Sequence, residues 1–455
     1  MTIEDKTKKH LGLLIKASIL LVLALLILIP IYNVKRLLRE REERASRTTS
    51  QVINQWGGRQ YIMGPVLAVP FRFTRDIEED KKIVTKIYKG VKYFLPSELV
   101  LDTDTESVER HKGIFTIPLY KSQLGIHGHF DKLSFQENRG DNLQILWDQA
   151  KINIEVASTI GLSQTLKLQW NGSTTEFFRD LSGNDIMSDP LGAPLGANPR
   201  EGGDFSIDLN LKGGESLEFY PLGKEVKLSL NSDWSSPQFT GTFLPDDYVI
   251  NEKGTTASWS MGAYNVNFPQ SWYAGDIDKN LVYESRFGVE FTEVIDQYFQ
   301  VHRALKYAFL FVFMPFIALF LMEIIFKHPL HTVQYLFIGL GTAFFFLLLL
   351  TLSEHLDFWL SYGLSGLGTS LLIYFYGRAI LPNQASQLSL LGLLILLYAY
   401  LFLSLQSEDY ALLIGSLGLF GLFSAVMIGT RKLDWNEVGM YAQPHKRKDE
   451  TEEEE

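Results

Sequence analysis

The chain contains no cysteine among its 455 residues. This absence excludes disulfide bonds, thiolate metal ligands and a cysteine nucleophile. Any large soluble domain must therefore be stabilised by its own apolar core. An excess of positive charge is also lacking, because the formal net charge is −10. This balance argues against a nucleic-acid partner, since phosphate binding requires a basic surface.

The chain also lacks the short motifs that identify common catalytic sites. It contains no nucleotide-binding P-loop, no G-x-S-x-G elbow and no H-E-x-x-H helix. Serine, histidine and aspartate are present, but nothing in their spacing groups them into a triad. These absences predict a protein that is not an enzyme, with no catalytic residues, no cofactor and no metal.

Long apolar segments, in contrast, are abundant. A helix needs roughly 20 apolar residues to cross ~30 Å of hydrocarbon. The segments that come close to this length are residues 11–32, 307–326, 333–352, 358–376, 388–405 and 410–428. We predict a membrane protein with six transmembrane α-helices, one near the N-terminus and five in a C-terminal bundle at residues 304–430.

The first apolar segment follows a positively charged start at residues 1–10, as a signal peptide does. No small-x-small cleavage pattern follows it, and the run ends in Pro30-Ile31-Tyr32. We interpret residues 11–32 as an uncleaved signal anchor that begins in the cytoplasm. Lys16 lies about one turn inside this segment, from where its ammonium can reach the interface by snorkelling.

Residues 33–59 predict a charged helical connector. Arg36 and Glu40, for example, have the spacing of an i, i+4 ion pair on a helix. Gly57-Gly58 is expected to end this helix, because glycine pairs break helical backbone.

Residues 60–303 change to an alternation of period two. The clearest alternating apolar positions are Ile152, Ile154, Val156, Phe205, Ile207, Leu209, Leu211, Val226, Leu228 and Leu230. Short runs of this kind indicate antiparallel strands with one face packed on a core. We predict a large β-rich extracytoplasmic domain. Residues 183–203 lack periodicity and are rich in Gly, Pro, Asn and Asp, so we expect disorder there, with a functional loop as the alternative.

The short loops predict the orientation, because positive residues stay cytoplasmic. Positive residues follow the second, fourth and sixth apolar segments, at Lys327, Arg378, Arg431 and Lys432. The loops at 353–357 and 406–409 contain neither lysine nor arginine. This alternation predicts cytoplasmic N- and C-termini and an outside location for the β-rich domain. The acidic tail, residues 431–455, is predicted to be cytoplasmic and too charged to bury.

Ionisable residues at membrane depth are functional candidates by default. Five stand out, namely Glu323, His328, His331, Glu354 and His355. His331 and His355 would be separated by about 36 Å along a helix. Since metal ligands lie about 2 Å from the ion, one metal site holding both groups is excluded if the third segment is a single helix.

Each candidate also has a structural interpretation. His328 and His331 could donate two imidazoles or simply form an interfacial turn. Glu354 and His355 could form a proton-accessible pair, a contact to the soluble domain or a solvated loop tip. Glu323 could take part in a proton relay, or it could pair with Lys327 at i+4.

Small residues form a second pattern in the apolar segments. They are Gly363, Gly366 and Ser370 in the fourth, and Gly415, Gly418 and Gly421 in the sixth. Such ridges allow helices to pack closely in lipid. They could also line a pore or a lipid groove.

Several fragments of the chain look familiar together. They are Gly64-Pro65, Phe243-Leu244-Pro245, Arg303-Ala304, His328-Pro329, Gln334-Tyr335-Leu336, Ser353-Glu354-His355 and Asp434-Trp435. Their order and spacing resemble the bacterial inner-membrane CreD family, also called the cell envelope integrity family, from about residue 11 to 436. The block at 328–355 is the most specific. The resemblance implies an inner (cytoplasmic) membrane location, a periplasmic domain and a role in envelope integrity, but no mechanism at particular residues.

Three functional hypotheses follow. The first is a non-enzymatic, multi-pass inner-membrane protein that supports cell envelope integrity through its periplasmic domain. Its partners would be membrane lipids and envelope proteins or glycans. The second is a transporter or lipid-handling protein that uses the glycine ridges. The third is an envelope enzyme with Glu354 and His355 at the outer surface.

Overall fold

The computed structural model describes residues 3–79, 82–135, 141–291, 297–406 and 411–431. The chain divides into a helical unit, Met1–Arg44 with Ile295–Glu455, and a β-unit, Ala45–Val294. The predicted combination of apolar helices and a large β-rich domain is confirmed. Most of the predicted 406–409 loop and nearly all of the predicted acidic tail lie outside the described residues.

Eight α-helices occur among the described residues. They are α1 (Ile3–Trp56), α2 (Lys279–Glu284), α3 (Gln297–Lys306), α4 (Ala308–Phe326), α5 (Thr332–Ser353), α6 (Phe358–Ile380), α7 (Gln384–Gln406) and α8 (Ala411–Thr430). Within the described ranges, α1, α4, α5 and α7 are long and apolar enough to cross a membrane. The sequence predicted six such helices.

The core of the helical unit, within the described residues, contains residues of α1 and of α3 to α7. In α1 its buried residues are Leu20, Ala24, Ile27, Ile31, Val34 and Leu38. Their spacing of three or four places them on one helical face. Apolar residues between them are exposed, as a face in contact with lipid requires. At Gly339 of α5, an added Cβ would lie 2.1 Å from Cδ1 of Ile27. Glycine therefore allows α1 and α5 to approach closely.

The β-unit contains two sheets in the described residues. Its strands are β1 (Gln60–Glu79), β2 (Lys82–Phe94), β3 (Glu98–Lys112), β4 (Phe115–Phe130), β5 (Asp141–Ile145), β6 (Lys151–Val156), β7 (Lys167–Trp170), β8 (Ser173–Glu176), β9 (Phe178–Arg179), β10 (Leu191–Pro194), β11 (Gly203–Gly214), β12 (Ser216–Phe219), β13 (Glu225–Ser232), β14 (Gln238–Gly241), β15 (Asp247–Asn251), β16 (Gly254–Gly262), β17 (Ser271–Tyr273) and β18 (Phe287–Glu290).

The ten-stranded sheet runs β14-β18-β12-β1-β6-β10-β9, with β2, β5 and β17 attached beside it, all within the described ranges. The eight-stranded sheet of the same residues runs β15-β16-β13-β3-β4-β11-β7-β8. Apolar residues from both sheets form one core cluster, as in a sandwich. The prediction of antiparallel strands is incomplete, because β1 pairs with β12, and β3 with β13, in parallel. Both parallel pairs join strands that are distant in sequence, which periodicity does not reveal.

The predicted alternation is confirmed in β11 and β13, where alternate residues are buried and exposed. Strand β6 differs, because Asn153 and Glu155 are buried as well as the apolar residues between them. Glu155 accepts the backbone N–H groups of Ser188 and Asp189, and Asn153 donates to Asp180. The expected disorder of residues 183–203 is wrong for this reason, since the segment is ordered and includes β10, which pairs with β6. Buried polar partners hold it in place.

Candidate functional site

A buried polar network joins α1, α4 and α5, close to where α5 begins. The ammonium of Lys16 forms an ion pair with Glu323 and donates to the carbonyl oxygen of Leu330 at 2.9 Å. The hydroxyl of Tyr335 donates to the other oxygen of Glu323 at 2.8 Å. We call these groups the Lys16 network. Because both carboxylate oxygens accept a charged or hydroxyl donor, the network compensates the burial of Glu323.

The Lys16 network gives Glu323 a different environment from the one that the sequence suggested. The side chains of Lys16 and Glu323 are only 19% and 10% exposed. Helix α4 ends at Phe326, and Lys327 adopts the left-handed conformation with φ 56°. The structure pairs Glu323 with a lysine from the first apolar segment, a partner that the sequence did not suggest.

His328 and His331 lie in the short connection between α4 and α5. Nδ1 of His331 accepts from the backbone N–H of Val333 at 3.3 Å, and Gln334 Oε1 accepts from the backbone N–H of His331 at 2.9 Å. This is a capping box at the start of α5. The His328 backbone N–H donates to the carbonyl oxygen of Glu323 at the end of α4. The connection thus has the structural role of an interhelical turn.

Glu354 and His355 lie at the other end of α5. Nε of Arg41, on α1, lies 3.6 Å from Oε1 of Glu354, whose side chain is 9% exposed. The same Oε1 atom accepts no hydrogen bond. His355 is exposed. Helix α5 is continuous between the two candidate groups, so they are not brought together. No group of three or more potential metal ligands occurs in the residues that the structure describes.

The glycine ridges have unequal environments. Gly366 faces the ring of Tyr398 at 3.6 Å from its Cβ position, whereas Gly363 and Gly421 face open space. A Cβ on Gly418 would lie 2.2 Å from the ring of Tyr400. Gly418 and Gly421 line an apolar groove of 550 Å³ whose other walls are α4 and α7. The ridge of α8 therefore borders a groove, and that of α6 serves helix packing at Gly366.

The β-unit carries an exposed two-stranded ribbon, which we call the arm, residues 72–79 and 82–89 of β1 and β2. Strand β5 pairs with β1 only as far as Thr74. In the described part of the chain, β17 is the strand that pairs with the other edge of β2, and it reaches only residues 92–94. Ile83 and Ile87 are 78% and 67% exposed. Isolated two-stranded ribbons are marginal in water, so such exposure of isoleucine is unfavourable for a free arm.

Positive charges face each other across the arm. Arg72 is directly opposite Lys89, and Arg75 is directly opposite Lys86. Like charges in such positions are destabilising. Nearer the tip, the hydroxyl of Thr85 donates to Asp76 at 2.6 Å. At the base of the arm, Arg72 and Lys89 therefore place positive charge on the face that also carries Ile83 and Ile87, and this face favours a negatively charged partner.

Two acidic groups under the segment 183–190 have shifted pKa values. Burial raises the pKa of Glu155, although it accepts backbone N–H groups of Ser188 and Asp189. Burial acts in the same direction on Asp180, but donors from Lys151, Ser182 and Asn153 outweigh it and lower the pKa of Asp180 to about 2. These shifts reflect structural hydrogen bonding that orders the segment.

Sequence reasoning missed the partners supplied by α1. The position of Lys16 did indicate a partner, because a charge inside an apolar segment needs an opposite charge or access to water. Tyr335 and Arg41 carried no such signal. Sequence reasoning also missed the arm, because its alternating pattern is typical of any strand. The arm is unusual in how few strands of the described residues pair with it.

The family with a matching sequence model is described as inner membrane protein CreD, and the match spans residues 12–436. Inner membrane protein CreD of Escherichia coli (strain K12) is 29% identical over 412 residues, or 90% of this chain and 91% of that protein.

Two structures of an M1 zinc metallopeptidase from Deinococcus radiodurans, the second a substrate-bound variant, overlap with parts of the chain. They show TM-scores of 0.17 and 0.18 and identities of 11% and 10%. The overlaps cover 37% and 40% of this chain and 38% and 42% of those chains. At these TM-scores the overlap assigns neither fold nor activity. The match to the inner-membrane family spans nearly the whole length, and this chain belongs to the inner membrane protein CreD family.

Proposed function

We propose that this protein crosses the inner membrane six times and supports cell envelope integrity without catalysis, through a β-unit in the periplasm. Helices α6 and α8 would complete the six spans, since they contain 23 and 20 residues. Helix α5 is about 33 Å long at 1.5 Å per residue, which matches the hydrocarbon thickness. Positive residues in alternate connections support cytoplasmic termini.

The absence of cysteine makes this topology directly testable. Single cysteines at Leu356 and Gln384 would lie on opposite sides of the membrane in the proposed arrangement. We expect a membrane-impermeant maleimide to label Leu356→Cys in intact spheroplasts and Gln384→Cys only after permeabilisation. Both positions are exposed, so they should react equally in detergent. Labelling of Gln384→Cys in intact spheroplasts would refute the six-span arrangement.

The arm is the single observation that carries the functional proposal. Within the described residues, it combines exposed isoleucines, an edge of β2 that no strand pairs with beyond residues 92–94, and opposed positive charges. An extended acidic segment of another envelope protein would pair with the edge, cover the isoleucines and neutralise the charge. A second copy of β2 fits less well, because it would add its own lysines to the same edge. The protein would thus act as a membrane-anchored docking platform.

Crosslinking in intact cells tests this proposal. A photo-reactive amino acid at position 83 would report on the arm, and one at position 160 would serve as a control, because Ile160 is 66% exposed elsewhere on the β-unit. We expect position 83 alone to capture one envelope protein, through an acidic segment identified by mass spectrometry. The double variant Arg72→Glu/Lys89→Glu, on the same face of the ribbon as Ile83, should abolish the adduct. Equal capture from both positions, or capture of lipid or glycan alone, would refute the docking role of the arm.

A lipid-handling function is the second candidate, and the apolar groove between α4, α7 and α8 favours it. Gly421 lines the groove and faces open space, so Gly421→Leu should fill it without a clash. Gly363 also faces open space but lies outside the groove, and Gly363→Leu is the matched control. If the groove holds an acyl chain, Gly421→Leu alone should reduce the lipid that copurifies with the protein. Equal lipid in both variants would exclude this function.

A further inference from the structure

A polar cleft lies on the outward face of the eight-stranded sheet. It has a volume of 680 Å³. One row of its floor crosses five neighbouring strands, and the strand register places its members side by side: Thr256, Asn231, Asp104, Gln123 and Asn210. At about 4.8 Å between strands, the row extends for about 19 Å. The cleft is therefore long enough for an extended chain of several units.

Residues outside this row border the cleft. Ser163 donates its backbone N–H to the carbonyl oxygen of Asn210, and Asn251 and Lys253 belong to the hairpin that joins β15 to β16. An outward sheet face is polar in any antiparallel sheet. Here, however, three of the five side chains in the row are amides, one is a hydroxyl and one, Asp104, is a carboxylate, and the strand register arranges them in a line. This arrangement suits recognition of a ligand better than simple solvation.

Several amides of the cleft are held in fixed orientations. Nδ2 of Asn231 donates to Asp104 at 3.0 Å, and Nδ2 of Asn210 donates to Gln164 at 3.1 Å. Each amide retains a carbonyl oxygen and a second N–H for a ligand. Within the described residues, Gln123 at the centre of the row makes no side-chain hydrogen bond. A ligand would thus meet alternating donors and acceptors that are already positioned.

The charges of the cleft balance. Asp104 belongs to the row, and Glu106 and Asp233 flank it, while the positive residues of the lining are Lys121, Lys212 and Lys253. A strongly anionic or cationic polymer would meet as much repulsion as attraction. An apolar ligand would leave the amides unpaired. The chemistry that fits is a neutral or weakly charged chain rich in hydroxyl and amide groups.

We propose that this cleft binds a glycan chain of the envelope, of the β-1,4-linked N-acetylated amino-sugar type. Its hydroxyl and acetamido groups offer the donors and acceptors that the Asn, Gln, Asp and Thr side chains complement. The biological role of this site rests on the proposed periplasmic location of the β-unit. The binding itself does not depend on the arm or on any partner protein.

Titration of the full-length protein in detergent with chitotetraose tests the site. We expect saturable binding by calorimetry, and about five-fold weaker binding for Gln123→Ala, which removes one central hydrogen-bonding group. Gln169→Ala is the matched control, because Gln169 is exposed on β7 of the same sheet but does not line the cleft. The control should bind as tightly as the wild type.

Two outcomes would overturn the proposal. One is the lack of saturable binding up to about 10 mM chitotetraose, or equal weakening by both substitutions. The other is equally tight binding of maltotetraose, which has no acetamido group. Failure of this titration together with a positive crosslink from position 83 would refute the glycan site and leave the docking platform standing. Saturable binding of chitotetraose without a crosslink from position 83 would support the glycan site and refute the docking platform.

Discussion

Polar side chains have different environments in the helical unit and in the β-unit. In the helical unit, the ionisable candidates Glu323 and Glu354 are paired with residues of α1. In the β-unit, the row through Gln123 and the base of the arm presents polar and charged groups to solvent. Polar groups thus stabilise the arrangement of helices in one unit and remain available for partners in the other.

This difference indicates which unit carries recognition. A carboxylate in hydrocarbon is costly unless it is paired, so ion pairs in the helical unit have a sufficient structural explanation. Exposed isoleucines in water have no such explanation among the described residues of the unit that contains them. The unexplained features therefore lie in the β-unit, and the proposed function places the working surfaces there.

The largest effect is expected from Glu323→Ala. It leaves Lys16 partly buried without its carboxylate, which should destabilise the docking of α1 by about 3 kcal/mol. Hydrogen–deuterium exchange of α1 peptides in detergent measures this loss. Glu323→Gln should cost less, because the amide oxygen can still accept from Lys16 and the amide NH2 can donate to the Tyr335 hydroxyl once that hydroxyl rotates.

The double variant Lys16→Met/Glu323→Leu separates a structural pair from a functional one. Since both charges are removed together, much of the stability should return. Recovery of hydrogen-exchange protection in α1 together with normal envelope function would support the contrast between the units. Recovered protection with loss of function would contradict it, because the Lys16 network would then have a role beyond packing.

A smaller effect is expected at the other end of α5. Arg41 is 40% exposed and lies 3.6 Å from Glu354, so Arg41→Ala should weaken the local protection of α1 by about 1 kcal/mol. The double variant Glu354→Gln/His355→Gln should rescue a deletion phenotype fully, measured as resistance to detergent. Failure to rescue at normal expression would favour the envelope-enzyme hypothesis instead.

The same contrast explains how far the sequence could be interpreted. Hydrophobic length predicts α4, α5 and α7, because a lipid-exposed helix must be apolar along its whole length. Alternation predicts β11 and β13, since each has one solvated face. In β6 the rule fails, because Asn153 and Glu155 are buried and form hydrogen bonds with Asp180, Ser188 and Asp189. These are tertiary contacts, and periodicity contains no information about them.

The candidate residues also show what the sequence can predict and what it cannot. The sequence identified Glu323 and His331 as ionisable groups near span ends, but their partners come from other helices or from cap geometry. Pairing between α1 and α4 links residues 307 positions apart in the chain. The arm was missed because an open edge is the lack of a neighbouring strand, and only the sheet order reveals it.

A modest effect is expected from pH on the segment 183–194. The pKa of Asp180 falls from 3.8 to about 2, so its contribution to stability is present above pH about 4 and is lost as pH falls toward 2. Glu155 acts with the opposite sign, since its pKa is raised. We therefore compare the wild type with Asp180→Asn. Both proteins retain Glu155, so its contribution cancels in the difference between them. The difference in hydrogen-exchange protection should shrink between pH 4 and 2, after correction for intrinsic rates.

The smallest effect on stability should come from the arm, where the effect on function should be large. Ile83→Ser/Ile87→Ser alters two exposed side chains, so the thermal stability of the β-unit should change by no more than about 0.5 kcal/mol. Capture of the partner from a neighbouring photo-reactive position should nevertheless be lost. If the substitutions instead destabilised the β-unit strongly, the isoleucines would be part of its own packing. The arm would then resemble the Lys16 network, and the contrast between the two units would fail.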